Sequence, residues 1–123
     1  MTDILEIIDD IPDHSRYLTV DELRGSTRRT VEEYADVIKF SVADTSSGGT
    51  PIEYIEIGDG DRVVLVYAFA HPDEPVGSLV IDYLVRKLAS DNALRRVLNC
   101  RWFFISCIDP DGTRLNAYTF ACQ

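Results

Sequence analysis

Apolar and polar positions are most clearly ordered in the second half of the chain. Val63-Val64-Leu65-Val66-Tyr67-Ala68-Phe69-Ala70 is an unbroken apolar run, which predicts a strand covered on both faces. Val76, Leu79, Val80, Tyr83, Leu84 and Leu88 then recur at helical spacing through Ala89. Pro75 stands where the helix would start, a position its fixed φ suits. A short helical piece over 92–98 leads to a second apolar run, Trp102–Ile108, read as another buried strand. Asp109-Pro110-Asp111-Gly112 ends that strand as a turn. Strand, helix and strand in this order predict a crossover that sets both strands parallel in one sheet.

The first half is less regular. Residues 4–8 read as either a short helix or a disordered arm. Thr19-Val20-Asp21-Glu22 and Thr30-Val31-Glu32-Glu33 each fit a capping box that opens a helix, the second helix ending before Val37. Val37–Ala43 and Ile52–Ile57 flank a Ser/Gly/Pro turn region and read as a strand pair. Glu53 and Glu56 interrupt the second of these, which predicts a half-exposed strand. The fold class that follows is α/β, a mixed sheet with parallel central strands flanked by helices.

Composition narrows the function. The chain carries 12 Lys and Arg against 21 Asp and Glu, a net charge of −9. All of that excess lies in residues 1–60; residues 61–123 are neutral. No clustered cationic surface for a phosphate backbone is expected, so nucleic acid is excluded as the main partner. No apolar run approaches the roughly 20 residues of a membrane span, and no leader-like N-terminal segment is visible. A cytoplasmic protein is expected, with Cys100, Cys107 and Cys122 as reduced, mostly buried thiols.

Two polar clusters fall at the carboxyl ends of the two predicted parallel strands, where α/β proteins bind ligands. His71-Pro72-Asp73-Glu74 follows the first strand, and Asp109-Pro110-Asp111-Gly112-Thr113-Arg114-Leu115-Asn116 follows the second. Imidazole nitrogen and carboxylate oxygen are both zinc donors at about 2.0–2.2 Å. His71 and Glu74 stand across a strand-to-helix corner, where two such side chains can converge. Spacing alone would suit equally a sheet-edge His and a Glu favouring the helix dipole; the position after a buried strand favours the ligand reading.

These motifs resemble the N-terminal half of a zinc carboxypeptidase of the carboxypeptidase A-like family. There a strand ends in His-x-x-Glu, a helix follows, and a second strand ends in an Asn-Pro-Asp-Gly turn. Ser46-Ser47-Gly48-Gly49-Thr50-Pro51-Ile52 is similar to the family's Gly-x-Ser-x-x-Gly-x-Pro-Ile hairpin, with Asp44 at its first Gly. The resemblance spans about residues 31–116. It implies a phosphorylase/hydrolase-like fold, zinc as cofactor, His71 and Glu74 as metal ligands, and hydrolysis of a peptide or amide bond. It divides the chain into an acidic arm with helices over 1–30 and half of a catalytic domain over 31–123.

Departures from the family pattern matter as much. Asp73 replaces a basic residue often found between the ligands, and Asp109 replaces the Asn of the turn. No His follows His71 and no Glu follows Glu74, whereas the family's third ligand and general base lie downstream. No catalytic residue is therefore assigned, and the resemblance implies a truncated, inactive domain whose unpaired sheet edge invites self-association. Arg114 is the candidate substrate contact; a salt bridge to Asp109 or Asp111 is its plainer reading. Ala70-His71-Pro72-Asp73-Glu74 also resembles the His-Pro-Asp-Asp motif of zinc-dependent N-acetylglucosaminyl deacetylases. A non-catalytic binding module is the third reading.

Overall fold

The computed structural model describes residues 4–121. Helix α1 (Ile4–Asp9) and helix α2 (Val20–Glu33) precede a hairpin of β1 (Ile38–Thr45) and β2 (Pro51–Ile57). Then come β3 (Arg62–Tyr67), α3 (Val76–Ser90), α4 (Asn92–Leu98), β4 (Cys100–Ile105) and α5 (Pro110–Ala121). Among the described residues, no helix is long and apolar enough to cross a membrane. Cys100 is buried, Cys107 is half-buried, and both are free thiols; Cys122 lies outside the described residues.

Helix α2 starts where Thr19 predicts. The Thr19 hydroxyl accepts the Glu22 N–H at 3.3 Å, and the Glu22 carboxylate accepts the Thr19 N–H at 3.1 Å. Arg16 adds two bonds to the same carboxylate, at 2.7 and 3.0 Å. Its hydrogen bond is the main reason the Glu22 carboxyl sits below the ordinary range. Thr19→Ala is expected to cost about 1 kcal/mol of stability, read as a lower urea midpoint; an unchanged midpoint would deny the box any part in holding α2. The second predicted box is not a helix start. Thr30 is buried inside α2, and its hydroxyl donates to the Ser26 carbonyl at 3.1 Å. A hydroxyl turned back onto its own helix replaces the cap, so the helix runs unbroken through Gly25 and Thr30.

The four strands lie in the order β1-β2-β4-β3. β1 pairs with β2 and β2 with β4, both antiparallel; β3 and β4 are parallel. The mixed sheet and its crossover are as expected. One face packs against α2 and α3: Ile38, Ile55, Ile57 and Phe104 meet Leu23, Ile81, Val85 and Leu88 in the core. Strand β2 is more buried than its two glutamates suggest, because it lies between β1 and β4. Each glutamate has a cation: Glu53 takes Arg24 at 3.0 Å and Arg28 at 3.1 Å, and Glu56 takes Arg101 at 2.7 Å.

Two expectations change in the second half. The run Val63–Ala70 is not covered on both faces. β3 forms the margin of the sheet, and Val63, Leu65 and Tyr67 are 67%, 58% and 50% exposed. Only the face carrying Val66 packs on the core. The Asp-Pro-Asp-Gly segment is not a plain turn either, because it opens α5. The Asp109 carboxylate accepts the Gly112 N–H at 3.0 Å, and Pro110 takes the first helical position, where a missing N–H is not needed.

Candidate metal centre

The parallel ladder continues beyond β3 by two bonds, from Ala68 N–H to Ile105 O at 3.0 Å and from Ile108 N–H to Ala68 O at 3.1 Å. Both polar clusters therefore leave the sheet side by side. Phe69, two residues beyond the end of β3, adopts the left-handed region, with φ of 57°. A bulky residue seldom adopts this conformation, which costs on the order of 1–2 kcal/mol. Its ring, 2% exposed, is anchored in the core and holds the bend. The chain then turns over His71-Pro72-Asp73-Glu74, closed by a bond from Glu74 N–H to the His71 carbonyl at 3.1 Å. Buried Pro75 leads into α3.

His71 and Glu74 thus share one turn, and both are exposed at the carboxyl end of the parallel strands. Their donor atoms are of the types zinc takes. Among the described residues, however, no group of three or more His, Cys, Asp and Glu side chains could hold a metal ion. The turn offers two donors, short of the three protein ligands usual for a catalytic zinc.

The second cluster packs against the first through Gly112. A β-carbon placed there would fall 2.7 Å from the Pro72 ring and would also collide with the Asp109 carboxylate. Asp111 reaches a third segment, the β1–β2 turn. One of its oxygens accepts from the Ser46 hydroxyl and the other from the Gly48 N–H, each at 2.9 Å. Three distant parts of the sequence meet at one end of the sheet. The links are Asp111 to Ser46 and Gly48, and Gly112 to Pro72; the sequence marks the motifs that hold these residues but not their contacts.

Arg114 lies on α5 and points back along the fold. Its guanidinium donates to the Thr50 hydroxyl at 2.6 Å and to Asp21 at 2.9 Å. It pairs with neither Asp109 nor Asp111, so the salt bridge exists with a partner from α2. Cys107 is half-buried near the same end. Burial raises its thiol above the ordinary range, opposed by a hydrogen bond to Thr113. It lines a cavity of about 30 Å³ with Arg24, Glu53 and Phe104, room for a single water rather than a substrate.

The family described as zinc carboxypeptidase matches residues 24–121. No curated protein matches the chain. Several solved structures share the fold. Bovine thrombin-activatable fibrinolysis inhibitor, in complex with tick carboxypeptidase inhibitor, superposes with a TM-score of 0.73 at 12% identity, over 82% of this chain and 34% of its own. Carboxypeptidase A from Helicoverpa armigera gives 0.72 at 20% identity, over 85% and 27%. A Pseudomonas aeruginosa metallo-carboxypeptidase in complex with (2-guanidinoethylmercapto)succinic acid gives 0.58 at 22% identity, over 73% and 26%. The chain thus spans about a third or less of the length of each.

Proposed function

Because this chain belongs to the zinc carboxypeptidase family, we propose that its His71–Glu74 turn supplies two ligands to a zinc ion serving hydrolysis of a peptide or amide bond by the whole protein. The observation that carries this reading is the placement of both donors on one exposed turn at the end of the parallel strands, inside the matched region. The chemistry a bound zinc supplies is polarisation of a carbonyl and acidification of a water.

The residues of this chain hold and orient. His71 offers an imidazole nitrogen, and Glu74 offers a carboxyl oxygen. Phe69 and Pro75 fix the backbone on either side of them. The Asp111 bonds brace the neighbouring hairpin turn. For Arg114, the bonds to Thr50 and Asp21 favour a structural role over the substrate contact expected from its position. Nothing in the family match favours the sugar-deacetylase reading of Ala70–Glu74 or the non-catalytic one. Peptide hydrolysis also needs a general base and a third ligand, and no Glu follows Glu74 and no His follows His71 in these 123 residues.

Zinc titration calorimetry tests the site. The chain should bind one zinc weakly and hydrolyse no peptide by itself. His71→Ala should abolish the binding heat, and Glu74→Ala should do the same. Equal affinity in His71→Ala and the parent chain would remove the proposed centre.

A further inference from the structure

Neither ligand side chain is held by a hydrogen bond to another described residue, so the backbone of the turn must set where the two donors point. Resting on the zinc reading above, we propose that Pro72 and Gly112 are positioning residues for His71 and Glu74. Pro72 lies between the two ligands in sequence, and its ring rests against the bare Cα of Gly112, at the start of α5. No side chain fits between them, since a β-carbon on Gly112 would lie 2.7 Å from the ring.

Gly112 is itself fixed. Its N–H donates to Asp109 at 3.0 Å, and the next residue, Thr113, donates its hydroxyl to the Asp109 carbonyl at 2.7 Å. Asp111, one residue earlier, is bound to the hairpin turn through Ser46 and Gly48. The seat under Pro72 is therefore built from Asp109 in the loop after β4, the start of α5 and the hairpin turn, all outside the segment that carries the ligands. On its other side, the turn is pinned by the buried Phe69 ring in its left-handed conformation. The turn is gripped from below and behind while its donor atoms stay exposed. This arrangement suits a metal that must also meet a water and a substrate. A shift of Pro72 carries the backbones of His71 and Glu74 with it, since all three belong to one short turn closed by the Glu74 N–H to His71 carbonyl bond.

The test is zinc calorimetry on the chain, Gly112→Ala, Pro72→Ala and the double variant, together with the melting temperature of each zinc-free protein. Each single change should weaken zinc about tenfold, at the low end for groups that orient metal ligands. The double variant should lose less than the product of the two, because Pro72→Ala removes the ring that the new β-carbon at position 112 would strike. Pro72→Ala should leave the zinc-free melting temperature close to that of the parent. If Gly112→Ala fails to fold through its collision with Asp109, Pro72→Ala carries the test alone. Zinc binding that depends on His71 but is unchanged in the single variants would overturn the positioning role. Independent, multiplicative losses, or losses that track a falling zinc-free melting temperature, would overturn it as well. Zinc binding indifferent to His71 would instead overturn the zinc reading itself.

Discussion

Replacing Phe104 with alanine is expected to lower the unfolding free energy by about 3–5 kcal/mol. Phe104 is the most enclosed large side chain of β4, at 1% exposure. Ile55 faces it from β2 and Val66 from β3. Ile81, Val85 and Leu88 of α3 belong to the same cluster. Its ring also lies parallel to that of Trp102, with centroids 5.8 Å apart and planes 3° apart. Truncation leaves a cavity walled by three strands and a helix, none of which can collapse into it without breaking register. Domains of this size are stable by only about 5–15 kcal/mol, so the loss is a large share of the whole. Trp102 is the only tryptophan, and its fluorescence reports the transition in a urea titration. A loss below about 1 kcal/mol, the typical effect of an arbitrary substitution, would mean that Phe104 is not the hub of this core.

Gly60→Ala should be nearly as damaging, for a different reason. The turn before β3 is pressed onto the corner where α4 gives way to β4. Asn99 makes that corner in the left-handed region, with φ of 47°, and its side chain donates to Asp61 at 3.1 Å. A β-carbon on Gly60 would overlap the carbonyl group of Asn99 and the nitrogen of Cys100. These obstacles are backbone atoms, so no rotamer change relieves the collision. The start of β3 must lift away, breaking the pairing of Arg62 with Cys100. Overpacking of this kind costs about 1–3 kcal/mol, and an immovable obstacle places it at the upper end. The urea midpoint of Gly60→Ala should fall, and the amide of Arg62 should exchange faster with solvent. A variant with the parent's midpoint would show that the turn has room to slide.

The strand pair, the crossover helix and the strand after it are legible in the sequence because each has a local signature. Apolar runs bounded by Gly and Pro mark β2, β3 and β4, and the spacing from Val76 to Leu88 marks α3. What escapes depends on partners distant in the chain. Val63, Leu65 and Tyr67 spell a doubly covered strand, but coverage depends on what lies beside β3, which periodicity cannot report. Thr30 has the neighbours of a cap, and its place on the buried face of α2 with Val20, Leu23 and Ser26 makes it an interior residue. Asp109 and Pro110 read as punctuation, although the same two residue types also begin helices. At the candidate site, spacing and position single out His71 and Glu74, and the structure sets both on one exposed turn. Pro72 on Gly112, Asp111 on the hairpin and Arg114 on Asp21 are contacts through space. Their partners lie 40 to 93 positions away, and no local pattern announces them.

The mixed sheet also fixes how the chain can reach its folded state. Thr45 meets Pro51 across a short turn, whereas Val66 must find Phe104 from 38 positions away. In ideal-chain terms the longer closure costs only about 1.6 kcal/mol more than the shorter one, a modest thermodynamic burden. Its cost falls mainly on time, because closure entropy is spent before any long-range contact returns it. The short hairpin closure is expected within microseconds, and the long parallel pairing of β3 with β4 after it.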